Sequence, residues 1–383
     1  MKWCSAPVSL TGLEAGVAGV CPASEADRPR WFLATHDGVL RGVDLDDGAT
    51  FFETRLPFAL PVGESATLVA SADGRYLAVV QTRGLEGALY DVAQGTLLRA
   101  LVRADYHADA SGWALALVKS GERDVLITAT AWNRLEAFAL PSLERLAPAG
   151  DDTDLDYFFG HATPSPSGRQ LASFGWHWQP VGALRVMDVE AWLTSRADAP
   201  PELHDSLFAE WWDDDVCWLD EGRIALRGQQ PEDAEDSFLA HSEGVLIVDL
   251  ATRKIERAFP GLSPRQLATD GNHLLMLGQT TRVFSLATGA ELASLDQPTH
   301  AWHPGARVAL TLPALGGAPG PCALHWLTGT LGHRAALPEA PTAPRLLVLA
   351  DALEEAGGPP EAVAHCRTAR SHGRRCWVIE GLR

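Results

Sequence analysis

The stretch SADGRYLAVV, residues 71–80, decides the fold, because it comes back along the chain. SPSGRQLASF at 165–174 repeats its Ser-x-x-Gly-Arg-x-Leu-Ala frame. Looser copies are LDEGRIAL (219–226), ATDGNHLLML (268–277), HPGARVALTL (303–312) and KSGERDVLIT (119–128). Their glycines stand at 74, 121, 168, 222, 271 and 305, roughly 35 to 55 residues apart, a period that marks a repeat architecture.

A second motif runs in phase behind the first. ALYDVAQGTLL (88–98), GVLIVDLATRKI (244–255), RVFSLATGAEL (282–292), VLRGVDLDDGATF (39–51) and CALHWLTGTL (322–331) each read as strand, short polar turn, strand. Glycines 48, 95, 289 and 329 supply the positive φ such turns need. Apolar and polar residues are expected to alternate through these runs, as in a stacked sheet. Each unit therefore carries four strands, and seven units start near Gly16, Thr67, Trp113, His161, Trp212, Arg265 and Thr299. One four-stranded sheet cannot cover both of its faces, whereas sheets arranged radially bury each face on a neighbour. The expectation is an all-β, seven-bladed β-propeller over residues 1–337, closed by a strand near Ala6–Leu10.

These motifs carry a resemblance. SADGRYLA and SPSGRQLA look like the SPDGRYLA of WD40-type propellers, and LYDVAQG and IVDLATR look like its VWDLATG. Val43-Asp44, Tyr90-Asp91, Met187-Asp188 and Val248-Asp249 stand where Trp-Asp would be. Outside Gly160-His161 and Gly332-His333 the Gly-His dipeptide of that family is missing, and its Asp-His network is expected to be missing with it. The resemblance implies a degenerate WD40-like or YVTN-like propeller; it is specific for fold and silent on activity.

After LPEAPTAP (337–344) the period changes. Leu346, Leu349, Ala350 and Leu353 fall at helical spacing, so residues 338–383 are predicted to form a small α-helical module. LADALEEAG and the H-x-R-R-C-W run resemble a C-terminal repeat-companion module of bacterial multidomain proteins. That resemblance implies a bacterial, intracellular setting and no enzymatic role.

Composition narrows the partners. A net charge of −18 argues against nucleic acid, whose phosphates need Lys and Arg. Six scattered cysteines without a CxxC read as reduced thiols of a cytoplasmic protein. The N-terminus fails as an export signal, since Glu14 interrupts its apolar run, and no stretch suits a membrane helix.

Four connections, 151–161, 175–183, 202–215 and 228–243, read as long insertions of consecutive blades that emerge on one face. Together they hold fifteen Asp or Glu and no Lys or Arg. Tyr157, Phe158, Trp176, His177, Trp178, Trp211, Trp212, Asp213, Asp214 and Asp215 are the candidate partner-binding residues. Acids beside exposed aromatics suit a cationic partner: a Lys/Arg-rich peptide, a basic protein face or a metal ion. The tail arginines Arg367, Arg370, Arg374 and Arg375 are an internal candidate for the same sector.

Chemistry is sparse. There is no G-x-S-x-G elbow, no H-E-x-x-H, no G-x-G-x-x-G and no phosphate loop. Asp152, Asp154 and Asp156 have calcium-loop spacing, but Tyr157 and Thr163 stand where Gly and Glu belong. His365, Cys366, His372 and Cys376 match no zinc spacing. His300 and His303 flank Trp302 at the seventh unit, within reach of a central channel. The reading is a non-enzymatic, cofactor-free scaffold with no catalytic or metal residue. The alternative is a propeller hydrolase or lactonase with a metal or carboxylate pair at the channel mouth.

Overall fold

In the computed structural model, residues 2–8, 10, 12–23, 28–146, 156–177, 181–195, 202–209, 215–228, 244–260, 262, 264–312, 322–328 and 367 are described. They form seven antiparallel sheets, six of four strands and one of three. The first strands of the blades begin at Val17, Ala66, Leu115, Phe158, Val216, Gln266 and Ala301, within a few residues of the predicted unit starts. The chain closes its own ring. Lys2–Val8 is the outer strand of the last sheet, paired from Lys2↔Thr328 to Val8↔Cys322.

The apolar pattern follows from burial on both sides. In Tyr76–Gln81, Tyr76, Ala78 and Val80 pack toward the third blade, while Leu77 and Val79 pack toward the first. Likewise Trp31 and Leu33 face the seventh blade, and Phe32 and Ala34 the second. The predicted apolar-polar alternation is thus corrected for the middle strands: both faces are covered, so the run is nearly continuous. Each neighbouring pair of blades shares such a cluster, through blades four and five, five and six, and six and seven.

The two repeated motifs are two halves of one contact. Arg30 bonds Asp44 at 3.0 Å, Arg75 meets Asp91 at 3.5 Å, and Arg169 bonds Asp188 at 3.1 Å. The same carboxylates accept turn amides from Asp46, Gln94 and Ala191. The Ala191 N–H, seconded by Arg169, holds the Asp188 carboxyl below the ordinary aspartate range. Arginine thus holds each of these three aspartates. Gly74 and Gly95, at φ 74° and 66°, make the two kinds of turn that this arrangement requires.

Three expectations about the connections change. In the third blade the described part of the fourth position is a single bridge, Phe138↔Arg145. Glu202–Ala209, read as loop, is the outer strand of blade four, reached after a helix at Val189–Ser195 that no motif signalled. Segment 175–183 contributes to the paired second and third strands of blade four, up to His177↔Val181. The predicted helical module at 338–383 lies, apart from the helical residue Arg367, outside the described residues.

Candidate functional site

In an up-and-down sheet, connections after the second and fourth strands leave from the same face. On that face an aromatic cluster joins blades two to four. The connection out of blade two is clamped by Arg103, whose guanidinium donates to the carbonyls of Gly84, Ala108, Ser111 and Gly112. Ala104 N–H reaches Thr130 O, and Phe159 N–H reaches Trp132 O, so three elements are held in register.

The rings follow from this backbone. Phe158 stacks on Trp176 with centroids 3.9 Å apart and planes 6° from parallel. Trp132 lies 4.3 Å from Phe158, and Tyr106 closes the cluster at 5.7 Å from Trp132. Tyr106 keeps 48% of its surface exposed. Leu85 and Val102, on the adjoining rim of blade two, are exposed as well, and Leu85 O accepts from Arg103 N–H.

The sequence-predicted residues divide into three groups. Tyr157, Phe158 and Trp176 are buried, which corrects the expectation of an exposed aromatic face. Large rings at a blade junction fill the wedge between sheets, where burial is more favourable than exposure. Tyr157 donates to Ser173 O and Ala183 O, carries the Arg185 guanidinium 4.2 Å over its ring, and has its phenol pushed up by burial. His177 is half-buried, its Nδ1 donating to Asp156 O. Trp178, Trp211, Trp212, Asp213 and Asp214 lie outside the described residues, as do the acidic segments 151–155 and 229–243.

Asp215 stands at the start of the first strand of blade five and bridges three blades. Its carboxylate accepts Leu267 N–H of blade six at 2.6 Å and lies 3.8 Å from His161 Nε2 of blade four. Burial raises its carboxyl above the ordinary aspartate range, opposed first by His161.

The axial cavity opens at the opposite face, with a volume of about 390 Å³, between the inner strands of blades one to four and Pro304. Its wall is mainly apolar, with Cys21, Leu68, Ala70, Leu117 and Ala162 beside His161 and Lys119. His303 does not reach that cavity. It is fully buried, set edge-on to Trp31 at 5.3 Å, and accepts Ala306 N–H at 3.0 Å. Among the described residues, no three His, Cys, Asp or Glu converge on a metal-sized point.

Tyr106, His107 and Trp132 were not singled out from sequence. For Tyr106 and His107 the available signal was the length and composition of the connection 103–114, which contains ADYHADASGW (104–113).

No family model matches the chain, and no curated protein matches it. Solved structures do. The Neurospora crassa Pan2 WD40 domain superposes with a TM-score of 0.54 at 10% identity, covering 86% of this chain and 95% of that one. The Myceliophteria thermophila Cps50 (Swd1) β-propeller domain gives 0.55 at 14% identity, covering 85% and 100%. At such identities the likeness speaks for fold alone.

Proposed function

We propose, taking a WD40-like seven-bladed propeller as the premise, that this protein is a non-enzymatic scaffold. It holds a basic protein or peptide on the face that carries Tyr106. The observation that carries the reading is the ring cluster Tyr106–Trp132–Phe158–Trp176. Its inner members are packed and rigid while its outer member is half exposed, which suits an anchor that loses little freedom on binding. By sequence, segments 151–161, 175–183, 202–215 and 228–243 of blades three to five hold fifteen Asp or Glu and no Lys or Arg. Complementary charge would steer a cationic partner to that sector and fix its orientation. Four described cysteines, Cys4, Cys21, Cys217 and Cys322, are free thiols, in keeping with a reducing, cytoplasmic location. Among the described residues no helix is long and apolar enough to cross a membrane.

Affinity capture from the native cell with the full chain, followed by mass spectrometry, tests this. The expected partner is basic, and its recovery falls about tenfold with Tyr106→Ala or with Asp213→Lys/Asp214→Lys. Recovery unchanged in both variants, or an acidic partner, rules it out.

The second reading, a hydrolase or lactonase, rests on one contact. His161 lines the axial cavity and lies beside Asp215, the arrangement in which a carboxylate orients an imidazole as general base. Ester or lactone hydrolysis abolished by His161→Gln and reduced by Asp215→Asn would establish it. A purified chain that hydrolyses neither class ends it.

A further inference from the structure

A second cavity, of about 500 Å³, lies between blades five, six and seven. It is on the face that carries Tyr106. Its walls come from the end of Arg223–Gly228, from Pro264 and Arg265 before the sixth blade, from the turn 278–280, and from 298–300 entering the seventh. In a chain of net charge −18 this cavity is lined by Arg227, Arg265 and Arg282 and, among the described residues, by no carboxylate.

The three guanidinium groups are placed differently. Arg227 is oriented by its hydrogen bond to Pro264 O at 3.1 Å. Arg282 has Glu291 at 3.7 Å, an exposed and loose pair that contributes little and yields readily. Arg265 is exposed and, among the described residues, has no hydrogen-bond or carboxylate partner for its side chain. The nearby Asp296 is engaged by the Thr280 hydroxyl and does not line the cavity.

His300 adds a neutral donor. Leu312 N–H donates to its Nδ1 at 3.1 Å, so the neutral ring carries its proton on Nε2. Burial, and next the Arg265 charge, hold His300 below the ordinary histidine range, which favours the neutral ring. Guanidinium groups lining one cavity with a neutral N–H donor match an oxyanion, for which arginine is the preferred partner. The volume fits a small molecule better than a bare ion.

We propose that this cavity binds a small organic anion through a phosphate or carboxylate group held by Arg227, Arg265 and Arg282, with His300 donating a neutral hydrogen bond. The site is separate from the aromatic cluster and does not depend on that reading.

Calorimetric titration of the full chain at low ionic strength tests it, with phenyl phosphate, inorganic phosphate and succinate as probes. Saturable, one-to-one binding is expected for at least one probe. It weakens about tenfold or more in Arg265→Glu and in Arg282→Ala, and is unchanged in Arg123→Glu on the opposite face. Saturation by the phosphates alone assigns a phosphate ligand, and saturation by succinate alone a carboxylate ligand. No saturable heat with any of the three, or equal binding by Arg265→Glu, overturns the proposal.

Discussion

Arg75 immediately precedes the second strand of blade two and lies 3.5 Å from Asp91, which closes the third strand and is 1% exposed. One residue comes from each repeated motif, so the phase between the motifs is the geometry of this contact. Val92 N–H to Arg75 O at 2.8 Å and Gln94 N–H to Asp91 Oδ1 at 3.0 Å complete it.

Substitution of the pair should therefore be graded. Asp91→Ala removes both the charge and the acceptor of the turn amide, and is expected to cost about 1–3 kcal/mol. Asp91→Asn keeps an oxygen for Gln94 and costs less. Arg75→Ala removes a half-exposed partner and costs about 1 kcal/mol or less. Urea midpoints measure all three, and an inverted order would show that the guanidinium, not the turn, is the main support.

Asp215 sets a pH dependence. Its carboxyl is raised by burial, so the folded chain holds that proton more tightly than the unfolded chain does. The stability it contributes is complete below the unfolded aspartate value near 4 and is lost as pH rises through the higher folded value. Asp215→Asn should unfold at higher urea than the parent at neutral pH, and its midpoint should decline less from acid to neutral conditions. Parallel pH profiles for the two proteins would contradict this.

The ring closes on its N-terminal strand. A chain starting at Leu10 loses the pairing of Lys2–Val8 with Cys322–Thr328 and the packing of Cys4, Ala6 and Val8 on the seventh blade's core. A loss of about 3 kcal/mol or more is expected, with aggregation through the bared edge. Denaturation midpoints and light scattering report both. An unchanged midpoint would mean that the last sheet is stable with three strands.

Gly175 tests the packing beneath the aromatic cluster. A Cβ there would overlap the Phe158 carbonyl oxygen and press on the Tyr157 ring. Because the obstacle includes backbone, Gly175→Ala should cost about 1–3 kcal/mol and lower the capture of any partner that uses Tyr106. Gly38→Ala is the comparison: its Cβ meets nothing, and its φ of 78° gives strain without a clash. Equal effects of the two would show that backbone strain dominates.

The readable part of the molecule was its period. Gly74 and Gly168 mark first turns, Asp91 and Asp188 mark third-strand ends, and both follow from local backbone demands that recur in each blade. The four-stranded unit was legible for the same reason. It failed where a blade departs from the repeat, at the helix Val189–Ser195 and at the single bridge of Arg145. The aromatic residues of blade four were legible as unusual but not as buried. Whether Phe158 faces water depends on Trp132 and Trp176, which other strands deliver.

By itself, then, the order of residues determined how many sheets form, where each begins and which strand completes the ring. Turn geometry and strand pairing act over a few neighbours, and such short-range rules are written in every repeat. Only the tertiary structure decided that Asp215 would touch blades four and six, that Tyr106 would be the exposed ring, and that three arginines would share a cavity in an acidic protein. Those meetings join side chains from separate blades. They depend on how sheets turn about a common axis, a relation that periodicity along one chain does not encode.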